Sequence, residues 1–139
     1  MSERRLFEEI VIFDNYEIIK LEEGEMQLKT VVTEKALNPY GYAHGGFLYT
    51  LCDTVAGGTA ASLRAYTVTL QSNINYIRSA CLNDELLVIG KCIHNGKSTK
   101  VIETKVYNQK EELLCSCQST MYKVKDMEED VWNRSKEEL

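Results

Sequence analysis

The sequence predicts an α+β fold in which one long buried helix packs on a single antiparallel sheet. Three observations carry that reading. Residues 46–63 contain one formal charge, Asp53, and Phe47, Leu51, Val55 and Thr59 recur there at four-residue spacing, as on the buried face of a helix. The second half of the chain alternates with period two, as strands do. Asn95-Gly96 separates two of those alternating runs, and Asn-Gly is a strong hairpin signal. Strands before and after a single helix, in a chain of 139 residues, suit one domain with the helix laid on one sheet.

Taken in order, residues 3–13 set Leu6 and Ile10 four apart, with Phe7 and Val11 beside them among charges, which predicts a short amphipathic helical arm. Tyr16–Leu21 and Glu25–Thr33 read as strands around the Glu23-Gly24 turn. Met26, Leu28, Thr30 and Val32 fall on one face of the second. Asn38-Pro39-Tyr40-Gly41 interrupts any regular element and holds the only proline. In the long helix, Gly57-Gly58 costs about 1 kcal/mol per glycine relative to alanine, which predicts a compensating close approach of helix to sheet. The strand after it sets Val68, Leu70, Ile74 and Tyr76 to one side and Thr67, Thr69, Gln71, Asn73 and Asn75 to the other. Glu85–His94, Thr99–Tyr107 and Leu113–Val124 follow, the last two joined by a polar turn at 108–112. The domain is expected to span 1–125. Residues 126–139 are read as an acidic tail, either a frayed helix or without fixed structure.

Composition narrows the function classes. At 44% hydrophobic residues the chain can build a core without a metal or disulfide staple. The net charge of −5 is concentrated in the tail, where six acids face Arg134 and Lys136, so the remaining residues are near neutral. A near-neutral body argues against a broad nucleic-acid face. Five cysteines, an odd number without framework spacing, together with a charged N-terminus, predict reduced thiols and a cytoplasmic protein. Two histidines and no Cys-x-x-Cys give no zinc signature. A membrane span at 45–63 is disfavoured by its central Asp53, which costs about 2.5–3.5 kcal/mol on insertion scales.

Asp53 is the residue that asks for an explanation. A carboxylate inside an apolar helix either lies on an exposed stripe, accepting bonds from neighbouring hydroxyls, or is held in a dry cleft where its basicity rises for chemistry. His44-Gly45-Gly46 stands where the loop becomes the helix. The first N–H groups of a helix are unpaired and carry partial positive charge, so they can stabilise an oxyanion. Gly45 and Asp53 are about 12 Å apart along the helix at 1.5 Å per residue, too far to act on one carbonyl in one copy. Two copies with antiparallel helices would bring one helix start to the other's Asp53.

The run from Leu37 through Asn38, His44-Gly45-Gly46 and Asp53 to Thr54 resembles the PaaI-like branch of hotdog-fold acyl-CoA thioesterases. The strand Val68–Ala80 and the turn His94-Asn95-Gly96-Lys97-Ser98 extend the resemblance over about residues 16–124. It implies an antiparallel sheet wrapped around one long central helix. It implies an acyl-CoA substrate hydrolysed without a cofactor beyond the CoA that the substrate brings, and assembly as a homodimer or a homotetramer of two dimers. Residue by residue, it gives Asp53 the role of general base or nucleophile and the Gly45 N–H that of polarising the carbonyl. Asn38 would position water or thioester, and Thr69 would assist water. Asn38 and Gly45 would come from one subunit, Asp53 and Thr69 from its partner.

Around these, His44, Gly46, Thr54, Arg78, Lys97 and Ser98 are candidates for holding substrate. His44 is read first as a loop-fixing imidazole rather than a base. Arg78, Lys97 and Lys100 are candidate partners for CoA phosphates, with a solvated charge as the alternative for each. Phe47, Tyr49, Leu51 and Tyr76 are expected to shape the acyl pocket. Arg78-Ser79 departs from the Arg-Pro common in the family. The rival readings are a hydroxyacyl-thioester dehydratase using His44 with Asp53, and a non-catalytic acyl-CoA-binding module.

Overall fold

The computed structural model describes residues 13–137 and 139. These residues form six strands and two α-helices: β1 (Glu17–Glu22), β2 (Glu25–Val31), α1 (Gly45–Ala61), β3 (Ala65–Tyr76), β4 (Glu85–Asn95), β5 (Thr99–Tyr107), β6 (Leu113–Asp126) and α2 (Glu129–Glu137), with a 3₁₀ turn at Glu34–Ala36. The strands make one sheet in the order β1-β2-β4-β5-β6-β3, and every pairing is antiparallel. The expected α+β fold is present, with α1 lying across the sheet. The predicted arm at 3–13 falls outside the described residues except for Phe13, which is buried and meets Phe47 edge-on at 6.1 Å. No helix among the described residues is long and apolar enough to cross a membrane.

Helix α1 buries Leu48, Leu51, Cys52, Val55, Ala56 and Thr59 against the inward residues of the strands, among them Met26, Leu28, Val88, Ile102, Val106 and Leu114. Of the pair Gly57-Gly58, Gly58 is buried and Gly57 is not in a close approach. A Cβ on Gly57 would meet nothing within 4 Å, whereas one on Gly90 in β4 would lie 2.6 Å from both Thr59 Oγ1 and Val55 Cγ1. The sheet thus supplies a small residue of its own beneath Val55 and Thr59, and helical spacing gives no view of it.

Strand β3 departs from the expected alternation. Its register with β6 slips between Thr69 and Gln71, so Leu70 is bulged. A bulge reverses which face each following residue occupies. Thr69 before it and Ser72, Ile74 and Tyr76 after it all meet α1 or the core beneath it. Val68 and Leu70 are turned to the outside, 54% and 62% exposed. Placing Thr69 opposite Ile74 and Tyr76 is thus corrected by one extra residue. β3 is also an edge strand, its free side unpaired among the described residues.

The acidic tail is not loose. α2 buries Trp132 to 2% exposure and, with Met127, enters the main hydrophobic core. Arg64, in the left-handed region at φ 59°, clamps it. Its Nε and Nη2 donate to the Glu129 carboxylate at 2.7 and 2.9 Å, its guanidinium lies 4.7 Å from the Trp132 ring centroid, and its carbonyl accepts from Met127 N at 2.8 Å. The charge pattern alone conceals this because the buried residues, Met127 and Trp132, are few among the charges.

Candidate functional site

The site begins in the loop ahead of α1. Leu37 and Ala43 form an antiparallel bridge, and Asn38 N donates to Tyr42 O at 2.7 Å. Asn38 Oδ1 accepts from the N–H groups of Tyr40 and Tyr42 at 2.9 and 3.2 Å. Two N–H donors require the oxygen on that side, which leaves the Asn38 amide NH₂ without a hydrogen-bond acceptor among the described residues and able to donate.

His44 is the N-cap of α1, but its side chain makes no capping bond and is exposed. The loop-fixing role expected of its imidazole is carried by its backbone, whose N–H donates to Ala36 O at 2.8 Å. The His44 carbonyl takes the N–H groups of Phe47 and Leu48. The Gly45 and Gly46 N–H groups have no hydrogen-bond partner among the described residues, as the start of a helix dictates. Gly46 lies in open space. These two donors, with the dipole of α1 behind them, form an electropositive corner.

Two turns along the helix, Asp53 meets Thr69 of β3. The Thr69 hydroxyl donates to Asp53 Oδ1 at 2.8 Å and sits 3.7 Å from Met121 Sδ. Thr54 stands next to Asp53 and is partly exposed, and Asp53 itself is exposed. A single chain therefore offers no dry cleft, and the enclosure expected around this carboxylate is not supplied by the chain's own residues.

Helix α1 runs opposite to β3: Tyr76 reaches Gly45, Tyr49 reaches Ser72, and Asp53 reaches Thr69. Gly45, Gly46, His44 and Asn38 occupy one end of the site, Asp53, Thr54 and Thr69 the other. The remaining candidates divide the same way. Arg78 follows the Tyr76 end of β3, where it is paired with Glu112 at 3.3 Å and lines an open cleft with Asp84, Asn108 and Lys110. Lys97 and Ser98 are exposed in the β4–β5 turn, and Ser98 O accepts from Lys123 N at 2.8 Å. Lys123 is itself paired with Thr67, so this turn lies toward the Asp53 end. From Thr67 to Tyr76 a strand covers about 30 Å, so Arg78 and Lys97 do not meet within one chain. Lys100 is not available to a phosphate. It is buried, and its ammonium donates to Asn95 Oδ1 at 2.6 Å and Gly96 O at 2.7 Å, holding the turn.

Other residues differ from their expected places. Leu51 is fully buried in the core, so it lines no acyl pocket. Tyr76 is more than a wall: its hydroxyl donates to Gly45 O at 2.8 Å, and its ring lies 3.1 Å from where a Gly45 Cβ would stand. Sequence reasoning misses this bond because the Leu70 bulge decides where Tyr76 points. Cys52 adjoins Asp53 but is no nucleophile. Its thiol, 3.9 Å from Cys115 Sγ, is pushed up to about 12 by that contact and by burial, and Cys117 is raised by Cys52 and by burial. Thiols held protonated are inert.

Comparisons with known proteins show which family the chain resembles. Residues 40–115 match the family described as the Thioesterase superfamily. The chain is 40% identical to a hypothetical thioesterase from Streptococcus pneumoniae TIGR4 whose crystal structure contains coenzyme A, with a TM-score of 0.82 over 84% of this chain and 94% of that one. It is 35% identical over 107 residues to a 1,4-dihydroxy-2-naphthoyl-CoA hydrolase of Listeria monocytogenes, covering 76% of this chain and 87% of that one. It is 29% identical over 96 residues to the acyl-coenzyme A thioesterase PaaI of Escherichia coli, 69% of each chain.

Proposed function

Because the chain belongs to the thioesterase superfamily, we propose that it hydrolyses acyl-CoA thioesters to free acid and CoA at a site shared between two copies. The observation that carries this is the division of the site. A hydrogen-bonded Asp53–Thr69 pair lies midway along α1, and two N–H groups without a partner among the described residues lie at its start. The unpaired edge of β3 is where the second copy adds. Antiparallel pairing of two β3 strands about Ser72–Asn73, midway between Thr69 and Tyr76, sets Asp53 of one chain opposite the partner's Gly45, and the two-fold axis makes two such sites. It also brings Lys97 and Ser98 of one chain toward the partner's Arg78, near the same CoA. The outward Val68, facing Tyr122 across β3 and β6, suits a further face on which two dimers form a tetramer.

In this reading the thioester carbonyl oxygen receives the Gly45 N–H and the amide NH₂ of Asn38, and negative charge developing there meets the helix N-terminus. Asp53 of the partner takes the proton of a water that adds to the carbonyl carbon, or attacks that carbon itself to form an anhydride that water then hydrolyses; the C–S bond breaks and the leaving thiolate takes up the proton released by water, so that CoA departs as thiol. Thr69 holds Asp53 Oδ1, leaving Oδ2 toward the substrate. His44 and Thr54 border the acyl group, and the Gly46 N–H faces the same carbonyl oxygen as that of Gly45. No cofactor enters the reaction.

The test is thiol release from short, medium, long and aryl acyl-CoAs by the wild type, Asp53→Asn and Asp53→Ala. Loss of a positioned acid–base group lowers turnover by about 10²–10⁴. Unchanged turnover in the folded variants would sink the mechanism. Enoyl product from hydroxyacyl-CoA would assign a dehydratase instead, and tight binding without turnover a binding module.

A further inference from the structure

We propose that Tyr76 is a positioning residue for the carbonyl-binding end of the site, holding the Gly45 and Gly46 N–H groups in the direction a developing oxyanion requires. The inference rests on the hydrolase reading above and adds a residue to it. Tyr76 holds this end by two separate contacts. Its ring fills the space a side chain at position 45 would occupy, with ring carbon and hydroxyl oxygen 3.1 and 3.2 Å from the place of a Cβ. Its hydroxyl donates to the Gly45 carbonyl at 2.8 Å.

That carbonyl belongs to the same peptide unit as the Gly46 N–H. A proton donated to the oxygen draws charge through the amide and makes its N–H a stronger donor, the cooperativity of chained hydrogen bonds. The bond is not required to satisfy the carbonyl, because the N–H of Tyr49 is its regular helical partner. Nor is it required to satisfy the phenol, because Tyr76 is half exposed, at 50%, and water can reach it. The contact does fix a plane of two glycines that have no side chains of their own to limit rotation. The neighbouring peptide unit carries the Gly45 N–H, and the ring packed against Gly45 restricts that one. One tyrosine thus restrains both donors, from the strand that bears Thr69 seven residues earlier. The two ends of the site are held apart by β3 itself.

The test is steady-state kinetics of Tyr76→Phe with the best acyl-CoA found for the wild type, normalised to folded dimer by thermal unfolding and light scattering. Phenylalanine keeps the ring and removes only the hydroxyl. The expected result is a fall in kcat of about three- to tenfold with KM within twofold of wild type. Tyr76→Ala, lacking ring and hydroxyl, is expected to fall further in kcat. Wild-type kcat in Tyr76→Phe, or a change confined to KM, overturns the proposal, as does a loss that vanishes on normalisation to folded dimer. Failure of the hydrolase reading is distinguishable: it would appear as absent thiol release in the wild type, whereas failure of this inference leaves an active wild type, an inactive Asp53→Asn and an unaffected Tyr76→Phe.

Discussion

The Thr69 hydroxyl donates to Asp53 Oδ1 at 2.8 Å, joining β3 to α1 at the exposed end of the site. A hydroxyl has one proton, so while it serves Asp53 it gives none to water. Its effect on the reaction therefore runs through the carboxylate, whose rotation it stops. A hydrogen bond to a charged group is worth about 1.5–3 kcal/mol, which is about ten- to 150-fold in rate. Thr69→Ala is expected to lose that much kcat, and Thr69→Ser to retain most of it. Equal activity of the alanine and serine variants at the wild-type level would remove Thr69 from the mechanism. In Asp53→Asn, adding Thr69→Ala should have little further effect, because the two residues act as a unit.

A shared site makes a prediction that a single-chain site cannot. Asp53→Ala and Asn38→Ala damage opposite ends, and each homodimer is expected to be inactive or nearly so. A hybrid dimer carrying one chain of each kind restores one complete site, made from the intact Asp53 of one chain and the intact Asn38 of the other. With random pairing, co-expression should recover about a quarter of wild-type activity, since half the dimers are hybrids and each has one good site of two. If Asp53 and Asn38 of the same chain worked together, no hybrid would contain an intact pair and nothing would be recovered.

Much of this was legible in the sequence, and the misses share a cause. The helix at Gly45–Ala61 was readable from apolar spacing, and β5 from its alternation between a turn signal and a polar loop. Asp53 drew notice because a lone charge on an apolar helix needs a reason. Its pairing with Thr69 came from the resemblance. Alternation alone set Thr69 across the strand from Tyr76, because the slip at Leu70 leaves no mark in residue type. Gly90 was silent for a similar reason: a glycine in a strand does not announce which helix residue lies over it. Lys100 looked like any other lysine, yet the turn consumes its ammonium. Periodicity reports the face of an element, whereas these residues depend on what a second element places opposite.

The docking of α2 rests on an ion pair whose titration gives the last prediction. The Arg64 guanidinium, bonded to Glu129, holds its carboxyl below the ordinary glutamate value, near 4.3 in an unfolded chain. A depressed carboxylate contributes stability that is fully present above the unfolded value and is lost as pH falls through the lower folded value. The contribution is thus constant at neutral pH and fades below about pH 4. Trp132 is the only tryptophan and lies under the Arg64 guanidinium, so its fluorescence reports the docking of α2. Other carboxylates also titrate in this range, Asp126 among them through its bond to Lys123, so the informative quantity is a difference between chains. Glu129→Gln cannot titrate at that position. It should be less stable than wild type to urea at pH 7, with the gap closing as the pH is lowered past the folded value of Glu129. A gap that stays the same from pH 7 to pH 3 would mean that the charge of Glu129 does not hold α2, leaving the burial of Trp132 to do so alone.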